Sequence, residues 1–129
     1  MNDEEFENLV AAAIDDLPQD IRKHLDNVAV VVEDTPNAEQ LKKGRTMAGN
    51  TLLGLYEGVP KTKRGQGYNL VLPDKITIFR RSITAVSRND EEMREQIKKT
   101  VWHEIAHHFG FDESSVRALA RRRKFGNKQ

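Results

Sequence analysis

The chain has 129 residues, enough for one hydrophobic core and not for two, so a single domain over residues 1–129 is expected. A hydrophobic fraction of 37% beside a charged fraction of 32% is wet for a globular protein, yet excludes a disordered chain. No cysteine is present, which excludes disulfide scaffolds and thiolate metal sites, and the net charge of +1 hides ends of opposite sign.

Residues 1–20 carry acids without Lys or Arg, whereas the residues after Glu113 are basic and hold no acid. The basic tail, about residues 121–129, has a single aromatic, Phe125, among its few basic residues, so a solvated tail is the reading and nucleic acid is not an expected partner. No apolar run reaches signal-peptide or membrane-span length, so a cytoplasmic protein without a membrane partner is expected.

Phe6, Leu9, Val10, Ala13, Ile14 and Leu17 recur at amphipathic-helix spacing, and Pro18 ends that helix. Residues 19–25 read as a further helical turn with Ile21 and Leu25 inward, and His24, among charged neighbours, reads as a surface histidine. The run VAVVV at 28–32 is β-branched and apolar throughout, as in a strand buried on both faces. Residues 35–50 are polar, contain Pro36, Gly44 and Gly49, and read as a long loop.

Residues 52–56 read as a second strand, in which Gly54 signals a bulge or a close backbone approach. KTKRGQG at 61–67 is a basic loop without the G-K-[ST] ending of a phosphate loop. Residues 75–80 form a third predicted strand, with Ile76 and Ile78 on one face and Thr77 and Phe79 on the other.

Asn89 followed by Glu92 is a capping box that opens a long helix. Met93, Ile97, Val101 and Ile105 stripe one side of it, and Trp102, Ala106 and Phe109 widen the apolar surface until the helix is almost encircled. A last helix is predicted over residues 115–123.

The chemistry lies in HEIAHHFGFDE, from His103 to Glu113. On a helix, His103 and His107 leave one face a turn apart, and Glu104 is swung about 100° to their flank. Gly110 can turn the chain so that Asp112 and Glu113 fold back toward the histidines. Two neutral imidazoles and one of these acids would give Zn²⁺ three ligands and leave a fourth position for water. Glu104 is then placed to take the water's proton as general base. His108 points away from that face and reads as a core or supporting histidine, while Asp112 and Glu113 could instead cap the last helix.

HEIAHHFG with its following acids, LLGLYEGVP at 52–60 with Arg64 beyond it, and PDKITIFRRSI at 73–83 together resemble the small bacterial zincin-like, or minimal zincin, metallopeptidases. The similarity runs from about Phe6 to just past Glu113. It implies an α+β, reduced zincin-like fold: a small mixed sheet packed against the H-E-x-x-H helix, with flanking N- and C-terminal helices. Glu113 stands where the larger metzincins carry a third histidine, which favours it over Asp112 as third ligand.

The resemblance also implies zinc-dependent hydrolysis of peptide bonds in a peptide or protein substrate, with an edge strand flanking the cleft. By that reading residues 52–56 or 75–80 are better edges than 28–32, and Tyr56, Arg64 and Tyr68 are candidate donors to the reacting carbonyl. Two other expectations stand beside it. One is a zinc-dependent hydrolase of a non-peptide substrate, including nucleic acid, and the other a module that keeps the fold without being an enzyme.

Overall fold

The computed structural model describes residues 2–44, 52–58 and 72–110. Helix α1 (Asp3–Asp15) begins where the Asn2 side chain accepts from Glu5 N–H at 2.8 Å, and three acids in its first turn complement the helix dipole. Its buried side, Phe6, Val10 and Ala13, continues into Leu17 below the helix end. Pro18 starts the short α2 (Gln19–Arg22), and a 3-10 turn over Lys23–Leu25 delivers the chain to strand β1 (Val28–Glu33). Asn27, just before β1, adopts φ 59°, a left-handed conformation that asparagine tolerates better than most residues.

The remaining elements are α3 (Ala38–Gly44), β2 (Gly54–Glu57), β3 (Asp74–Phe79), α4 (Arg80–Ala85) and α5 (Asp90–His108). The described strands form one mixed sheet in the order β1-β3-β2, with β1 parallel and β2 antiparallel to β3. This is an α+β architecture consistent with the reduced zincin-like fold that the sequence implies.

Three sequence expectations are corrected. The apolar run of β1 is half-buried along its length and lies at one edge of the described sheet. The central place belongs to β3, whose Ile76–Phe79 segment is buried on both faces. Ile76 and Ile78 enter the main core with Val101 and Ile105, while Phe79 packs with Leu52 and Leu55 on the other side. The expected loop at 35–50 contains α3, and its signal was present in the sequence as a capping box. Gln40 N–H donates to Asn37 Oδ1 at 2.8 Å, and the Gln40 side-chain oxygen accepts from Asn37 N–H at 3.0 Å. Arg80, expected to end the third strand, is the first residue of α4.

Helix α3 is held to the sheet by polar contacts. The buried Gln40 amide donates to Glu33 at 3.0 Å and to Glu57 at 3.5 Å, and Lys43 pairs with Glu57 at 2.9 Å. The Lys43 ammonium is the main reason the Glu57 carboxyl sits below its ordinary range, against a smaller opposing effect of burial.

Helix α5 opens on the predicted cap, with Asn89 accepting from Glu92 N–H at 2.9 Å, while the Glu92 carboxylate reaches back to Arg88 N–H at 3.0 Å. Met93, Ile97, Val101 and Ile105 are buried as the stripe requires, together with Trp102 and Ala106. The helix is not encircled near the motif, however. His103 and His107 are exposed on the stripe one residue ahead of the sheet-facing one, and Phe109, 42% exposed, packs only in part against its neighbours.

Gly54 sets how closely α5 approaches β2. A Cβ at this position would lie 2.5 Å from Thr100 Cγ2 and 2.9 Å from the Thr77 carbonyl oxygen. The close approach signalled by the sequence is thus helix on strand, and half of the obstruction is backbone that cannot swing away. Gly54→Ala is expected to destabilise the protein by about 1–3 kcal/mol, as overpacked sites do. Urea unfolding of parent and variant measures it, and equal midpoints would show that the contact has slack.

Candidate metal centre

The last three turns of α5 run alongside β2 in step with it. Thr100 meets Gly54, the Glu104 carboxylate meets the Tyr56 amide, and the His108 ring meets Tyr56 and Gly58. Four helical residues rise about 6 Å and two strand residues about 6.8 Å, so one stripe of the helix can touch alternate residues of the strand without a break. His103 and His107 occupy the neighbouring stripe and face outward, both exposed. With four-residue spacing on a continuous helix, their Cβ atoms are about 5–6 Å apart.

Glu104 lies between the two histidines in sequence and leans toward the strand. Its Oε1 accepts from Tyr56 N–H at 2.7 Å. In an antiparallel ladder, backbone groups alternate between facing the partner strand and facing outward. Leu53 O accepts from Phe79 N–H, so Leu53 faces β3, and Tyr56, three residues on, faces outward. The carboxylate thus caps an outward amide of β2, which is an edge among the described strands. Burial is the largest influence on Glu104 and raises its pKa above the ordinary glutamate value. The Tyr56 amide and the charge of a protonated His107 pull the other way.

Behind the motif an aromatic cluster closes the sheet end. The Tyr56 ring stacks on His108 with centroids 3.9 Å apart and planes 17° from parallel. Its hydroxyl donates to Asp74 Oδ2 at 2.6 Å, and His108 Nε2 is 3.9 Å from the same oxygen. Phe109 places an edge against His108 at 4.9 Å and packs on His24 at 4.5 Å.

His108 therefore lies against Tyr56 at the surface rather than in the core, with its side chain 38% exposed. His24 is half-buried under Phe109. Tyr56, read from sequence as a donor to substrate, has its hydroxyl engaged by Asp74. Its part in orienting Glu104 and His108 had no local signal, because all of these pairings cross between distant parts of the chain.

Gly110 adopts φ 76°, the left-handed turn expected after the motif. Asp112, Glu113, Arg64, Tyr68, the 61–67 loop and the predicted last helix lie outside the described residues. Among the described residues no group of three or more His, Cys, Asp or Glu side chains is assembled to hold a metal ion. Two exposed imidazoles one turn apart, backed by a buried helix face, do fit zinc as two of its ligands. Beyond Gly110 the sequence supplies Glu113 and Asp112 as candidate third donors.

A helix presenting H-E-x-x-H beside an edge strand of a small mixed sheet defines the zincin class of metal-dependent hydrolases. The zincin-like metallopeptidase family matches residues 25–122, and the chain belongs to that family. Among solved structures, a conserved hypothetical protein from T. thermophilus shares the fold. It has a TM-score of 0.50 and 22% sequence identity, over 94% of this chain and 99% of that one. No curated protein matches the chain. No described helix is long and apolar enough to cross a membrane.

The raised pKa of Glu104 makes a prediction for the metal-free protein. With its pKa higher in the folded than in the unfolded state, the contribution of Glu104 to stability is greatest at acid pH. It falls as pH rises from the unfolded carboxylate value of about 4.3 through the folded value. Glu104→Gln cannot ionise, so its stability relative to the parent should increase across that window. Thermal melts in chelator at several pH values test this, and a constant difference would mean the carboxylate is not desolvated.

Proposed function

We propose that this member of the zincin-like family is a zinc-dependent peptidase with Glu104 as general base. The observation that carries the reading is the Tyr56 N–H bond to Glu104. It holds a desolvated carboxylate between the edge of β2 and the exposed His103 and His107. His103 and His107, with Glu113 as third ligand and Asp112 as its alternative, would hold zinc. When bound, zinc supplies Lewis acidity toward a substrate carbonyl and brings water within reach of deprotonation at neutral pH.

Glu104 accepts a proton from water and passes it to the leaving amine. A base too weak cannot take the proton and one too strong does not return it, and burial moves Glu104 of the metal-free protein toward the stronger side.

The test joins zinc content to cleavage of a quenched-fluorescence peptide library. The parent should hold one zinc per chain and cleave, and His103→Ala should lose both properties. Glu104→Gln should keep the zinc and lose cleavage by about 10²–10⁴-fold. Cleavage by Glu104→Gln at the parent's rate would remove Glu104 as the base. A parent that holds zinc and hydrolyses only non-peptide substrates would redirect the reading to another zinc hydrolase.

A further inference from the structure

The turn of α5 that bears His107 has weaker backing than the turn before it. Val101, Trp102, Ile105 and Ala106 are buried, whereas residues 107–110 are all exposed. Its closing hydrogen bonds among the described residues are few. Phe109 N–H reaches Ile105 O at 2.9 Å, but Gly110 N–H reaches His107 O only at 3.4 Å. Helix ends with so little packing open readily, and an imidazole on an opening turn cannot keep a fixed distance to its neighbour. His103, on the turn before, has no such difficulty.

Beside the contact of Phe109 with His24, Tyr56 gives this turn its second support. Its ring lies flat on His108, the residue next to His107, and Phe109 covers the edge of that stack. The ring is itself held at its far end, since its hydroxyl donates to Asp74 Oδ2 and Asp74 N–H donates to Asn27 O at 3.2 Å. The same residue's amide fixes Glu104. One strand residue therefore grips α5 at two successive turns, through backbone at Glu104 and through side chain at His108.

We propose that Tyr56 is a positioning residue for the metal centre: its stack on His108 fixes the turn carrying His107, while its amide aims Glu104. The inference rests on the zinc reading above and adds a residue that acts on the metal site through others. His108 contributes as a flat ring and not as a nitrogen ligand.

Zinc affinity of the full chain, measured by competition with a chromophoric chelator, tests this with a readout other than activity. His108→Ala removes the stack at a side chain exposed enough for the variant to fold, and is expected to weaken zinc binding about 10–100-fold. His108→Phe restores a flat ring over Tyr56 and should recover most of the affinity. Tyr56→Leu, with the same loss expected, is the second route to the same answer. Leu55→Ala, on the opposite face of β2, should lower the melting temperature and leave zinc affinity as in the parent.

Parental affinity in His108→Ala would overturn the proposal. So would a His108→Phe variant no better than His108→Ala, which would point to the ring nitrogens. A Leu55→Ala loss as large as that of His108→Ala would reduce the effect to global stability. His103→Ala is measured alongside: if it binds zinc like the parent, the zinc reading fails first and this inference with it.

Discussion

The contact between α5 and β2 is the constraint on which the rest of the structure depends. A helix advances about 1.5 Å per residue and a strand about 3.4 Å, so residues four apart on one can meet residues two apart on the other. Thr100, Glu104 and His108 use that near-match against Gly54, Tyr56 and Gly58. Gly54 makes the approach close enough, since any side chain there would meet Thr100 and the Thr77 carbonyl. With one stripe of the helix committed to the strand, the adjacent stripe bearing His103 and His107 has its direction fixed.

Glu104 shows how two opposing influences can act on a single carboxyl. Burial disfavours its charge, and a short bond from the Tyr56 amide favours it. Desolvation is the larger, so the carboxyl is raised above the usual range while its orientation stays fixed by a backbone donor. A backbone amide is well suited to this. It cannot rotate away, and its place is set by the β2–β3 ladder and not by a side-chain rotamer.

The sheet is asymmetric in what covers it. The face bearing Ile76 and Ile78 meets α1 and α5 in the main apolar cluster. The face bearing Phe79 has a small cluster with Leu52 and Leu55, supplemented by the bonds from Gln40 and Lys43 of α3 to Glu33 and Glu57. Central β3 is thereby enclosed on both sides, which gives β2 a rigid partner and, through β2, gives α5 a fixed seat.

The amino-acid sequence by itself determined the helices with strong period and caps, the strand character of 28–32 and 75–79, and the placing of His103 and His107 on one helix face. Those follow from local rules: Asn89 and Glu92 cap, Gly110 turns, and i,i+4 histidines share a face. The sequence also contained the Asn37–Gln40 box, hidden by the polar composition around it. Which strand is central was not legible, because VAVVV is more apolar than DKITIF, and centrality depends on what covers each face. Nor were the partners of Glu104 and His108, which come from a strand 48 and more residues away. Only tertiary structure decided that Tyr56 serves both, because matching a helix's rise to a strand's is a property of two elements packed together and of neither alone.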